Sequence, residues 1–326
     1  MRAAIPDLGG SGRIEVVDAR IPSPRPNEVL VRVHAAGMNR ADLLHAKGTY
    51  GQRAYANSDR PNIGGMEIAG RVAALGSAID GPTVGDAVIA MCSGAYADYI
   101  AVDRNLLIPA PEALTWSERA SLPIALLTEY EALVRLAETE PGDRVLVTGG
   151  TSSVGLIGVQ LARTLDPSLL VATTRSKRAA PLLSDLGAHA VAHAVDDLAA
   201  VGDGEGFDVV VDHVGGNMFE AALGLLREGG RIVSVGRLGS RSVALDLVAL
   251  AGKRARVIGT TWKTQELAEI ADTTRRVREQ VMGAVEDGRI HPVVSHTITL
   301  TEIMDGYDQL KADRSPGKVV VILDQD

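Results

Sequence analysis

Cysteine is almost absent from this chain: Cys92 stands alone among 326 residues. A single thiol excludes an intramolecular disulfide and a structural zinc lobe held by four thiolates. Aromatic residues make up only 3% of the chain, and 41 acidic residues outnumber 33 basic ones. A nucleic-acid surface needs the opposite charge balance and platforms on which bases stack, so no nucleic-acid partner is expected. No apolar run approaches the roughly 18 residues that span a bilayer. Residues 1–12 also lack the apolar core of a secretory signal. These features lead us to expect a cytoplasmic protein with no membrane partner. The seven histidines form no metal-site pattern.

What remains is ordinary globular material, 46% hydrophobic and 23% charged. A chain of this length is long for one domain and comfortable for two. Residues 1–122 are β-rich and turn-rich. Glu28-Val-Leu-Val-Arg-Val33 alternates as a half-buried strand should, and Gly70–Leu75 and Asp86–Ala90 read the same way. Prolines 22, 24, 26, 61 and 82 punctuate them. Residues 123–287 alternate strand and helix. Arg144–Thr148, Leu169–Thr173, Asp208–Asp212 and Arg231–Val235 are short apolar runs. Val154–Thr164 carries apolar residues at helical spacing, and Asn217 can cap a helix that Gly229-Gly230 stops. Such alternation predicts a parallel sheet covered on both faces, an α/β domain. A long polar helix over 264–287 closes this region. Strands near 293–298 and 318–323 then return to the β-rich character, and residues 288–326 are expected to complete the first domain.

Thr148-Gly-Gly-Thr-Ser-Ser-Val-Gly155 joins the first strand and first helix of the α/β region. A tight glycine turn there offers backbone N–H groups and the positive end of a helix to a pyrophosphate. Gly149, Thr151, Ser152, Ser153, Val154 and Gly155 are therefore candidate cofactor contacts. Glycine-rich turns also occur without ligands; the strand–turn–helix setting favours the dinucleotide. The next strand ends at Thr173, where an NAD-binding chain places a carboxylate for the ribose 2′-hydroxyl. Here Thr174-Arg-Ser-Lys-Arg178 follows, without an acid. Guanidinium groups pair well with phosphate, and cations at a helix start are otherwise unfavourable. Thr174, Arg175, Ser176, Lys177 and Arg178 thus favour NADPH over NADH.

The chain resembles the zinc-independent quinone oxidoreductases (zeta-crystallin-like) of the medium-chain dehydrogenase/reductase superfamily over nearly its whole length. The resemblance rests on Ala36-Gly-Met-Asn-Arg-Ala-Asp42, Lys47-Gly-Thr-Tyr50, Gly64-Gly-Met-Glu67, Gly94-Ala-Tyr-Ala-Asp-Tyr99 and the phosphate turn. Asp212-His-Val-Gly-Gly216, Gly229–Gly236 and Ser315-Pro-Gly-Lys318 complete the set. It implies a GroES-like β-barrel catalytic domain and a Rossmann doubly wound sheet, with substrate between them. Zinc-containing members keep a cysteine and a histidine where this chain has Asn39 and Met66. An amide and a thioether do not replace them for Zn²⁺. Hydride transfer to an already polarised quinone, enone or enoyl thioester remains feasible.

By the same resemblance, Tyr50 lies near the substrate as a proton donor, and Asn39 bonds ribose or substrate. Thr128 and Lys318 approach the cofactor, while Gly215, Val235 and Gly236 face it from strand ends. Glu67 and Asp42 read as structural. Departures from the family are Ser152-Ser153 in place of paired glycines, Ala179 in place of a lysine and Ala194 in place of a tyrosine. The resemblance also leaves open a non-catalytic NADPH-binding protein, crystallin-like or RNA-binding, and the acidic charge argues against RNA. Residues 255–261 read as the last strand of the doubly wound sheet. An unpaired apolar edge there predicts a homodimer, a two-fold axis pairing the strand with its copy.

Overall fold

The computed structural model describes residues 1–7, 13–46, 62–312 and 315–323. The chain divides into two units. The first comprises 1–124, 262–286 and 292–326; the second comprises 125–261 and 287–291.

The first unit opens with β1 (Arg2–Pro6) and β2 (Ile14–Asp18), an antiparallel pair. There follow β3 (Glu28–Gly37), β4 (Glu67–Leu75), β5 (Ala87–Met91), β6 (Tyr99–Asp103) and β7 (Leu107–Pro109). The alternation expected in β3 holds only at Arg32, its one exposed residue: Val29, Leu30 and Val31 are all buried. β3 is a central strand whose edges pair with β4, β6 and the strand Lys318–Ile322, and the consecutive buried residues show that both of its faces are covered.

The second unit holds β8 (Arg144–Val147), β9 (Leu169–Thr173), β10 (Ala190–Ala192), β11 (Phe207–Asp212), β12 (Leu226–Ser234) and β13 (Arg256–Gly259). All pairings are parallel, in the order β10-β9-β8-β11-β12-β13. This is the doubly wound Rossmann order, whose direction reverses between β8 and β11. Leu146, Val171, Val210 and Ile232 form the core with Phe207 and with Phe219 and Ala222 of the helix Asn217–Gly224.

Three local expectations are corrected. The helix at 217 is preceded by Gly216 at φ +59, which takes the capping position in place of Asn217. That helix ends at Gly224, and Gly229-Gly230 lies inside β12 instead of ending the helix. The long polar helix is broken into Leu267–Gln280 and Met282–Glu286. Both pieces belong to the first unit, whereas the strand–helix rhythm assigns them to the second. The reason is the face formed by Ile270, Thr273, Thr274 and Val277, which is buried, in a helix that contacts β7.

The chain returns to the first unit through β14 (Val294–Thr299) and β15 (Lys318–Ile322). They extend a sheet of order β14-β15-β3-β4-β5-β7, with β6 paired to β3 off this path. No helix among the described residues is long and apolar enough to cross a membrane.

Candidate functional site

The second unit's switch point is built by two loops that leave the carboxyl ends of β8 and β11. After β8, Gly149 turns at φ +63 and its N–H donates to Thr173 Oγ1 at 2.9 Å. Gly150 N–H donates to the Thr173 carbonyl at 2.8 Å, which fixes the turn against β9. Ser152 caps the helix Ser153–Thr164 by accepting from Gly155 N–H at 3.0 Å. A Cβ on Gly155 would strike the Gly149 carbonyl, so the tight turn requires glycine there. Thr151, Ser153 and Val154 complete the turn and open the helix. At the end of β9, Thr174 Oγ1 lies 3.3 Å from Thr151 Oγ1 and accepts from Ser176 N–H at 3.1 Å. Arg175, Ser176, Lys177 and Arg178 are exposed beside it. Across this turn, His193 Nδ1 meets the Thr174 carbonyl at 3.0 Å. Asp197 accepts from the N–H groups of His193 and Ala194, which hold its carboxyl below the usual range.

After β11, Asp212 organises the second loop. Its side chain accepts from Gly215 N–H at 2.8 Å and from Thr148 Oγ1 at 2.6 Å. Its carbonyl accepts from Val235 and Gly236 N–H at 2.8 and 3.0 Å. Gly215 sits at φ +76, and a Cβ on Gly236 would strike the His213 carbonyl. Thr128 is buried on the helix Pro123–Glu129. One arrangement is not legible in the sequence: His213 Nε2 lies 2.5 Å from Glu129 Oε1, both residues buried. Its only sequence signal is an acid closely following the apolar run 124–127 and a histidine one residue past a strand end.

The first unit gathers a separate polar cluster. Lys318 Nζ donates to Glu67 Oε1 at 2.6 Å and to Asn39 Oδ1 at 2.8 Å. Asn39 Nδ2 donates to the same Glu67 oxygen at 2.8 Å, and Ile124 N–H donates to Glu67 Oε2 at 2.8 Å. A Cβ on Gly37 would collide with the Glu67 carboxylate, so glycine makes room for it. Lys318 is 1% exposed, so its ammonium is shielded from water at the start of its strand. Asn39 and Lys318, singled out for ligand contacts, thus meet each other and Glu67. Asp42 is structural as expected, accepting from Asn39 N–H and Tyr96 Oη, each at 2.7 Å. Met66 is buried. No group of three or more potential metal ligands occurs among the described residues. The donors do not suit Zn²⁺: position 39 is an amide already bonded, position 66 a thioether, and the cation held here is the Lys318 ammonium. Tyr50 lies outside the described residues.

The family model "Alcohol dehydrogenase GroES-like domain" matches residues 25–112 and "Zinc-binding dehydrogenase" matches 153–276. Quinone oxidoreductase-like protein 2 of Bos taurus is 30% identical, covering 94% of this chain and 89% of its own length. A phenolphthiocerol/phthiocerol polyketide synthase of Mycobacterium tuberculosis is 28% identical over all of this chain, which spans only 15% of that protein. Among solved structures, the quinone oxidoreductase of Thermus thermophilus, known also in complex with NADPH, is 29% identical. It superposes with a TM-score of 0.83 over 99% of this chain and 100% of its own.

Proposed function

The chain belongs to the zinc-independent quinone oxidoreductase family of the medium-chain dehydrogenase/reductase superfamily, and from that membership we propose that it is an NADPH-dependent reductase of quinones or α,β-unsaturated carbonyls. One observation carries the cofactor: a phosphate turn at the switch point stands beside exposed Arg175, Lys177 and Arg178, where an NAD-binding chain presents an acid. The complex of the Thermus thermophilus protein with NADPH supports the same choice.

When bound, NADPH supplies the hydride. The N–H groups of the turn and the dipole of the helix Ser153–Thr164 hold its pyrophosphate. Arg175, with Lys177 or Arg178, pairs with the 2′-phosphate, and Ser176 adds a hydroxyl. Thr128, Gly215, Val235 and Gly236 bound the nicotinamide side, the glycines allowing close approach. Tyr50 donates a hydrogen bond to the developing enolate oxygen or returns the proton to the α-carbon. Asn39 and Lys318 act by fixing Glu67, because their polar atoms are bonded to one another. With no donor set for a Lewis-acid metal among the described residues, the acceptor must arrive already polarised, as quinones and conjugated carbonyls do. The match to a polyketide synthase supports an enoyl thioester within that class.

The working unit in this proposal is a cytoplasmic homodimer without nucleic-acid partners. It is joined through the edge strand within 255–261.

The test is isotopic. NADPH deuterated at the transferring C4 position is offered with a quinone, an enone and an enoyl thioester. Deuterium on the β-carbon of a reduced enone or thioester supports hydride transfer. Binding of NADPH with no turnover of any acceptor would leave the non-catalytic reading instead.

A further inference from the structure

Glu129 and His213 take no part in the chemistry above, yet they are 0% and 7% exposed. Both ring nitrogens of His213 face oxygens: Nδ1 meets the Thr148 carbonyl at 2.7 Å and Nε2 meets Glu129 Oε1 at 2.5 Å. A carbonyl only accepts, so Nδ1 carries a proton. The backbone joins in, with His213 N–H donating to Thr148 Oγ1 at 3.0 Å. Glu129 Oε2 has no hydrogen-bond partner among the described residues. It lies against Gly158, where a Cβ would collide with the carboxylate. The charged groups acting on His213 are Glu129, from the helix Pro123–Glu129, and Asp212, from the end of its own strand. Burial pulls the imidazole down, but Glu129, the Thr148 carbonyl and Asp212 pull harder and leave it above its ordinary value. The geometry thus pairs the imidazole with one carboxylate oxygen, out of water. An ionised buried group facing one partner is costly to leave alone, which makes the two residues a single mechanical unit.

Its placement gives it a task. Thr148 opens the phosphate turn, His213 precedes Gly215 and Gly216, and Glu129 directly follows Thr128. One imidazole thus links the two loops of the switch point to the helix that carries Thr128. We propose that Glu129 and His213 are positioning residues of the cofactor site, clamping the phosphate turn, the 213–216 loop and Thr128 in the arrangement that receives NADPH. This inference rests on the NADPH reading.

The clamp needs the charged imidazole. Its contribution is complete below the ordinary histidine value and is lost as pH rises through the elevated folded-state value. Titrations of NADPH fluorescence across neutral and alkaline pH, with thermal unfolding of the unliganded protein, test the proposal. The wild type is expected to lose NADPH affinity as pH rises. His213→Gln should weaken NADPH by about fivefold or more at neutral pH, since a buried charge-assisted bond is removed. Glu129→Gln keeps the size and an acceptor but lets the imidazole lose its proton, so it should show weak binding and little dependence on pH. A purely structural pair would lower the unfolding temperature and leave the NADPH titrations unchanged, which would overturn the proposal. If His213→Gln does not fold, Glu129→Gln carries the same decision. A wild type that binds no NADPH would overturn the cofactor reading itself. A wild type that binds, with variants that bind equally well, overturns the clamp alone.

Discussion

Arg175 is the first cation after β9, exposed where the ribose of a dinucleotide is expected. A charged hydrogen bond to phosphate contributes about 1.5–3 kcal/mol, and the low end, roughly tenfold in affinity, suits an exposed side chain. Arg175→Ala should therefore weaken NADPH by about that factor and leave NADH nearly unchanged, as fluorescence titration can show. Equal losses for both cofactors would move the 2′-phosphate elsewhere. Lys318 has the opposite character, being wholly buried against Glu67 and Asn39. Lys318→Met leaves Glu67 charged without its counterion, a loss of about 3–5 kcal/mol. Denaturant unfolding measures this directly, and a variant as stable as the wild type would contradict it.

Within the helix Ser153–Thr164, Gly158 faces the Glu129 carboxylate with no room for a methyl group. Gly158→Ala should cost about 1–3 kcal/mol by overpacking, visible as a lower unfolding temperature. Combining it with Glu129→Ala should relieve the clash, so the two changes should be far from additive. Neither residue announces this contact in the sequence, because 29 positions of sequence separate 129 from 158 and 84 separate Glu129 from His213. What can be read is local. The β8 and β11 runs are β-branched and apolar, and the phosphate turn joins a strand to a helix through glycines. Where the local signal misleads, tertiary pairing has the last word. Gly229 and Gly230, helix stops by composition, lie inside β12 at the register shift between its pairings with β11 at Leu226 and Arg231. The members of the Lys318–Glu67–Asn39 cluster are each legible, but its bonds span 251 and 279 positions, and no motif spacing predicts them.

β13 ends the path of the six-stranded sheet, and Val257 on it is 45% exposed. The chain just before it adds Leu238, Leu247 and Val248 as exposed apolar residues, Val248 at 83%. Such an edge is commonly covered, and a second copy covers it without leaving a further sticky end. Light scattering should give twice the 34.2 kDa of one chain. Val248→Glu should shift the mass towards the monomer while the unfolding temperature at high dilution holds. A monomeric wild type at micromolar concentration would defeat the two-fold assembly.

The reductase reading joins a phosphate turn, a basic run after β9 and an amide and thioether where zinc donors would stand. It is tested most directly by following NADPH oxidation with a panel of quinones, enones and enoyl thioesters after exhaustive chelation. The expected result is full activity with NADPH, much less with NADH, and no gain on adding Zn²⁺. Activity that vanishes with the chelator and returns with Zn²⁺, or that prefers NADH, would contradict it.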